Sequence, residues 1–99
     1  MAACKASQRV QLSLIQLAET LGNPQPDGTL RMAALTHHMI AAYVGTSREI
    51  VSTQMSRLRR LGLVRYSRKF IDVENEAIRE SLQNNGFPVL ALRAFSAAT

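Results

Sequence analysis

The spacing of apolar residues near the start of the chain predicts an amphipathic helix over residues 6–21. Its apolar positions recur every three or four residues, as the buried stripe of a helix requires, and Gly22 ends it. The stripe consists of Val10, Leu14, Leu17, Ala18 and Leu21. Residues 22–28, Gly-Asn-Pro-Gln-Pro-Asp-Gly, have the composition of a loop. Residues 30–33 predict a short strand or an extended approach to the next helix.

Two further helices separated by a tight turn are predicted next. Thr36 is a good N-cap for a helix over residues 37–44, and Gly45 suits the left-handed position that reverses the chain after it. Ser47 then caps a longer helix over residues 48–61. The predicted buried positions are Ile40, Ala41 and Val44 in the shorter helix and Ile50, Val51, Met55, Leu58 and Leu61 in the longer one.

The segment after Gly62 predicts a β-hairpin and one more helix. Residues 63–66 and 70–73 form its two strands around a basic turn, and residues 76–83 predict a short helix. A tight glycine turn between two helices, followed by a hairpin, is typical of a winged helix-turn-helix. We therefore expect a mainly α fold with a small β-hairpin wing (α+β) and a three-helix core. In this arrangement the third helix enters the major groove of DNA with its N-terminal residues at the base edges.

Length and composition predict one small domain. The 99 residues suffice for one modest core, which we assign to residues 1–83, with residues 84–99 as a C-terminal tail that forms a short helix or a loose extension. No apolar run approaches the roughly 20 residues that cross a bilayer, and residues 1–10 lack the apolar stretch of a secretory signal. Cys4 is the single cysteine and cannot form an internal disulfide. We therefore expect a cytoplasmic protein that does not bind a membrane.

Positive charge is concentrated in one part of the chain. The net charge is +5, but residues 48–69 hold seven cations and a single acid, Glu49, and so carry +6. The remaining residues hold five cations and six acids. A positive region on an otherwise balanced protein implies a polyanionic partner. From charge alone, the alternative is a solvated face that only aids solubility.

Arg48 and Glu49 open the third predicted helix and are candidates for reading bases. The guanidinium fork of Arg matches the O6 and N7 acceptors of guanine, and Glu can accept a hydrogen bond from N4 of cytosine. Each such pairing contributes roughly 1–3 kcal/mol of discrimination. The alternative is a glutamate that complements the helix dipole beside a solvated arginine.

The residues around this pair form a recognisable pattern. Its members are Leu35-Thr36, Ile40-Ala41, Val44-Gly45-Thr46-Ser47-Arg48-Glu49, Val51-Ser52, Leu58 and Leu61-Gly62-Leu63-Val64. The pattern resembles the C-terminal DNA-binding domain of the Crp/Fnr superfamily of bacterial transcription regulators. The motif from Gly45 to Ser52 is the specific part, and a weaker resemblance extends from about Ala6 to about Leu82. The resemblance implies a winged helix-turn-helix that binds double-stranded DNA in transcription regulation.

The resemblance also implies a set of DNA contacts. The candidate base-reading residues are Arg48, Glu49, Ser52 and Thr53. The candidate contacts to the DNA backbone are Thr36, His37, Ser47, Arg57, Arg65, Arg68 and Lys69. Thr53 departs from the family, which usually has a second Arg at that position. Because Thr can make one hydrogen bond or touch a thymine methyl but cannot contact guanine in a bidentate manner, we expect a changed or relaxed base preference there.

The family architecture raises the question of partners. Its members normally carry an effector-binding β-barrel and a long dimerisation helix before this domain, whereas about five residues precede the first helix here. The chain is therefore either an excised domain of a longer regulator or a stand-alone small regulator. The family binds an inverted repeat as a homodimer, with half-sites about one helical turn apart. Whether this chain dimerises, and whether RNA polymerase is a second partner, stays open.

Other functions receive less support from the residues. His37 and His38 point about 100° apart on a helix, and no Cys or carboxylate completes a metal site with them. We expect no cofactor and no enzyme activity, because the chain lacks a Gly-rich phosphate loop, a zinc-protease motif and a nucleophile–base pair. The rival to DNA binding is a winged-helix protein-interaction module whose basic face binds an anionic protein.

Overall fold

Four helices and four short strands form residues 5–87, the part of the chain that the computed structural model describes. The helices are α1 (Ala6–Leu21), α2 (His37–Val44), α3 (Arg48–Arg60) and α4 (Asn75–Asn84), and the strands are β1 (Asn23–Pro24), β2 (Leu30–Ala33), β3 (Val64–Tyr66) and β4 (Phe70–Val73). The bounds of α1 and α2 are those predicted; α3 ends one residue earlier than predicted, and α4 extends one residue further at each end. The predicted winged helix-turn-helix of the α+β class is confirmed.

Local capping fixes the turn between α2 and α3. The Thr36 hydroxyl oxygen accepts a hydrogen bond from the Met39 N–H at 3.0 Å, and that of Ser47 accepts one from the Ile50 N–H at 3.2 Å. Between them Gly45 has φ of 81°, the left-handed region, where a side chain would cost about 1–2 kcal/mol. Thr36 thus fixes where α2 begins, Gly45 where it ends, and Ser47 where α3 begins.

The predicted hairpin is part of a larger antiparallel sheet with the strand order β1-β2-β4-β3. β2 pairs with β4 so that Met32 lies opposite Ile71. β1 lies within the segment predicted as a loop, where Asn23 pairs with Arg31. This pairing covers the edge of β2 that would otherwise expose unpaired backbone groups. The wing is thereby anchored to the segment that leads into α2.

One hydrophobic core joins the helices to the inner face of the sheet. Side chains alternate along β4, so Ile71 and Val73 are buried while Phe70 points outwards. Each of the four helices contributes to the core. The most completely buried large side chains are Leu14, Ile15, Ile40, Met55, Leu58, Ile71, Ile78 and Leu82. The core thus holds α3 from behind and leaves its opposite side to solvent.

Three residues predicted to be buried are exposed instead. Leu21 is 54% exposed, Leu61 58% and Ile50 38%. Leu21 and Leu61 lie where helices end, beyond the layer that covers the preceding turns. Ile50 is adjacent to Val51, which is fully buried, so its side chain points about 100° away from the core. The apolar periodicity therefore predicts the buried side of each helix correctly but assigns too many residues to it.

Charged side chains on the outer face of the sheet pair with one another. Asp72 accepts two hydrogen bonds from Arg31, at 2.7 Å from Nε and 3.0 Å from Nη2. The Arg31 guanidinium also lies over the Phe70 ring, 5.3 Å from its centroid. Asp27, in the loop before β2, accepts a hydrogen bond from Arg65 at 2.9 Å. These pairs link the loop and three strands across the sheet.

Asp72 is expected to make stability depend on acid pH. Its hydrogen bonds with Arg31 lower the pKa of the carboxyl below its ordinary value of 3.8, against the opposing effect of burial. A carboxyl whose pKa is lowered in the folded state stabilises the fold above the unfolded pKa, and this contribution is lost as the pH falls below 3.8. We expect Asp72→Asn to be less stable than wild type at pH 7 and to lose less stability on acidification.

Urea denaturation between pH 7 and pH 3 measures this effect. Glu80→Gln removes an exposed carboxylate and is the matched control, for which we expect the wild-type pH profile. If Asp72→Asn also kept the wild-type profile, the ion pair with Arg31 would not contribute to stability.

The end of the described chain stays close to the core. α4 ends at Asn84, and Phe87 packs against the core residues. The tail predicted for residues 84–99 falls mostly on residues 88–99, which lie outside the described part.

Candidate nucleic-acid interface

The first turn of α3 presents Arg48 and Glu49 to solvent. Thr53 lies one turn beyond Glu49 on the same side and is also exposed. Neither Arg48 nor Glu49 forms an ion pair with another residue of the described range 5–87. Both charged groups are therefore available to a ligand. Glu49 is also favourably placed near the positive end of the helix dipole.

The two capping hydroxyls lie at the N-termini of adjacent helices. The oxygens of Thr36 and Ser47 accept hydrogen bonds from their own helices, which leaves each O–H free to donate. Both residues are exposed. Helix N-termini favour anions because their first backbone N–H groups are free to donate and the positive end of the helix dipole lies there. This edge of the molecule therefore suits phosphate groups.

The wing turn carries Arg68 and Lys69, which are both exposed. Ser67 closes the turn, because its hydroxyl accepts a hydrogen bond from the Phe70 N–H at 3.2 Å. The carbonyl of Lys69 accepts a hydrogen bond from the Ala34 N–H at 2.9 Å. The two cations are thus held on a fixed turn that follows α3 in the chain.

His37 connects α2, α3 and the wing. Its Nδ1 lies 2.8 Å from the Ser52 hydroxyl, and its Nε2 lies 3.3 Å from the Tyr66 hydroxyl. His37 and Ser52 are half-buried. His37 and Ser52, both predicted as DNA contacts, are therefore hydrogen-bonded to each other. These hydrogen bonds orient α3 relative to the wing.

Tyr66 takes part in this connection as a neutral phenol. Burial raises the pKa of Tyr66 to about 12, and the nearby charge of Arg59 opposes the shift only in part. The hydroxyl therefore keeps its proton at neutral pH. Together with His37, Met55, Ser56 and Arg59 it lines an open cleft of about 240 Å³ between α3 and the wing.

Arg57 and Arg65 lie outside the first turn of α3. Arg65 is on the outer face of the sheet, where it pairs with Asp27. Arg57 is exposed and lines a shallow cleft with Gln8 and Gln11 of α1. The structure therefore brings Arg48, Glu49 and Thr53 together but distributes the remaining predicted contacts around them.

Two residues that support this surface, Arg9 and Tyr66, are not indicated by the sequence pattern. Nη2 of Arg9 in α1 donates a hydrogen bond to the Gly45 carbonyl at 3.1 Å. The bond braces the turn between α2 and α3 from a position 36 residues earlier. Local patterns carry no signal for such a contact. Tyr66 was missed for the same reason, since its partner His37 lies 29 residues away.

Two other kinds of feature are absent from the described residues. Residues 5–87 contain no cluster of three or more side chains suited to hold a metal ion. Within the same range, no helix combines the length and apolar character needed to cross a membrane.

Comparison with known proteins identifies the family. Residues 8–78, well over half of the chain, match the Crp-like helix-turn-helix domain. A search of the curated proteins found no significant match.

Solved structures with the same fold include several regulators. A transcriptional regulator of the CRP/FNR family from Thermus thermophilus has a TM-score of 0.66 and 27% identity, and the match covers 83% of this chain and 42% of that protein. The catabolite activator protein of the same organism has a TM-score of 0.61 and 28% identity, with coverage of 84% and 35%. Reduced CprK without ligand has a TM-score of 0.67 at 17% identity, with coverage of 81% and 39%, which supports the fold alone. The chain spans less than half the length of each of these proteins and belongs to the family of Crp-like helix-turn-helix domains.

Proposed function

We propose that this chain binds double-stranded DNA in a sequence-specific manner as the DNA-binding domain of a cytoplasmic transcription regulator. The observation that carries the proposal is the exposed Arg48–Glu49 pair on the first turn of α3, free of ion pairs within the described residues. In a winged helix-turn-helix this turn is the one that reaches the base edges of the major groove. Family membership supports the same function.

The proposed base contacts follow from the chemistry of the first two turns of α3. Arg48 donates both hydrogen bonds of a bidentate contact to guanine, and Glu49 accepts one from cytosine. Thr53 faces the next base on the same side of the helix. Ser52 approaches this surface less closely, because its hydroxyl is bonded to His37. We propose that Ser52 and His37 chiefly keep α3 in its orientation.

The proposed backbone contacts surround the base contacts. The Thr36 and Ser47 hydroxyls donate to phosphates, and Arg68 and Lys69 supply cations from the wing. Arg57 and Arg65 add positive charge further from the base contacts, although Arg65 first has to exchange Asp27 for a phosphate. Such contacts provide affinity without sequence information and make binding depend on salt. The proposal includes binding of an inverted repeat by a homodimer, with RNA polymerase as a further partner.

Selection from a random duplex library tests the proposal. We expect the wild-type protein to enrich a motif with a fixed G·C position at a stated salt concentration. The alternative function is a protein-interaction module, which gains support from Thr53, a side chain that cannot make the bidentate guanine contact. That module would bind all duplexes weakly and enrich none, so the absence of any motif would overturn sequence-specific binding by this chain.

A further inference from the structure

Ile50 forms an apolar patch on the surface that faces the proposed DNA. It is 38% exposed, although it lies on the first turn of α3 between Glu49 and the buried Val51. With Glu49, Thr53 and Gln54 it lines a shallow open depression of about 220 Å³. Thr53 is exposed and lies three residues further along the helix, so its side chain adjoins the same patch.

The hydrophobic core does not require an exposed apolar side chain at Ile50. Val51, Met55 and Leu58 fill the inner side of α3 and are each at most 1% exposed. Ile50 leaves more than a third of its surface in water, beside the charged side chain of Glu49. An exposed apolar surface at this position is therefore available to an apolar group of the ligand.

We propose that Ile50 and Thr53 together recognise the C5-methyl group of a thymine in the major groove. This inference rests on the proposed function and names a base that the site selects. Among the four bases only thymine presents a methyl group in the major groove. The Ile50 side chain and the Thr53 methyl group contact that methyl and exclude water from it.

Guanine and adenine at the same position match these side chains less well than thymine does. Guanine is normally read by a bidentate cation, which Thr53 cannot supply, and adenine by the amide of Asn or Gln. Gln54 is the nearest amide, but its Oε1 is buried without a hydrogen-bond partner within residues 5–87. The amide oxygen is therefore turned inwards, so Gln54 does not offer both of its amide atoms for a bidentate contact to adenine. The thymine methyl is the feature that matches the exposed carbon surface.

Base analogues that add or remove a single methyl group of the DNA test the inference. In the duplex enriched by wild type, each thymine is replaced in turn by uracil, which removes only the methyl group. We expect one replacement to weaken wild-type binding about three- to fivefold, because burying one such group contributes about this factor. 5-Methylcytosine placed at that position, paired with guanine, should bind more tightly than cytosine by a similar factor.

Protein variants assign the effect to the two residues. Ile50→Ala and Thr53→Ser should each bind the thymine and uracil duplexes with more nearly equal affinity, whereas Arg60→Ala on the same helix should keep the wild-type ratio. Thermal unfolding confirms that the variants are folded, and Thr53→Ser, which keeps the hydroxyl, provides the test if Ile50→Ala is unstable.

The two proposals fail in distinguishable ways. If wild type enriches a motif but no thymine-to-uracil replacement changes its affinity, the thymine inference is wrong and sequence-specific binding stands. The inference is also overturned if Ile50→Ala weakens both duplexes equally, because the residue then acts on the fold or the backbone. If wild type enriches no motif, both proposals are overturned.

Discussion

Arg48→Ala is expected to lower affinity for the selected duplex about five- to 140-fold. A bidentate contact to guanine contributes roughly 1–3 kcal/mol of discrimination, and each 1.4 kcal/mol corresponds to a factor of ten. Arg48 is exposed on the first turn of α3, so its removal should leave the core intact. Equilibrium binding to the selected duplex and to an unrelated duplex, at one salt concentration, measures the effect.

Two variants separate base reading from charge. Arg60→Ala removes an equal charge from the exposed far end of the same helix and should weaken both duplexes by a similar, smaller factor. Arg48→Lys keeps the charge but loses the planar fork, so we expect it to bind the unrelated duplex normally and the selected one poorly. Equal losses for Arg48→Ala and Arg60→Ala on both duplexes would show that Arg48 contributes only charge.

Leu14→Ala is expected to destabilise the fold by about 2–5 kcal/mol. Leu14 is fully buried in α1, and truncating a buried leucine removes apolar contacts and leaves a cavity. Single domains of this size have a total stability of about 5–15 kcal/mol, so the variant should unfold at a much lower urea concentration. Leu21→Ala is the matched control, since Leu21 lies in the same helix but is 54% exposed. A loss as large for Leu21→Ala as for Leu14→Ala would contradict the burial described for α1.

Much of the fold could be predicted from the sequence because its determinants are local. The caps at Thr36 and Ser47 and the left-handed Gly45 act within a few residues, and they place α2 and the start of α3 correctly. The strands of the wing were likewise found from a short apolar alternation around a basic turn. Signals of this kind do not depend on which distant segment packs nearby.

The features of the fold that the sequence predicts wrongly depend on contacts between distant segments. A helical stripe gives the direction of a side chain but not the extent of the layer that covers it, so Leu21, Ile50 and Leu61 were assigned to the core. β1 forms only because β2 offers an unpaired edge. Such pairings arise from the assembled fold and leave no local periodicity.

For the candidate site, too, the sequence predicts the local features but not the long-range contacts. Arg48, Glu49 and Thr53 follow from their place at the start of one helix. The partners of His37, Ser52 and Arg65 lie 15 to 38 residues away, so their intramolecular bonds could not be foreseen. Those bonds change the role proposed for His37 and Ser52 from direct contact to orientation of α3.

Comparison of wild type with Glu49→Ala in the random-library selection tests base reading most directly. At a stated salt concentration, we predict that wild type enriches a motif with a fixed G·C position and that Glu49→Ala loses preference at that position while still binding DNA. A variant that enriches the unchanged motif would contradict the assignment of Glu49 as a base-reading residue, and a wild type that enriches nothing would contradict base readout by α3.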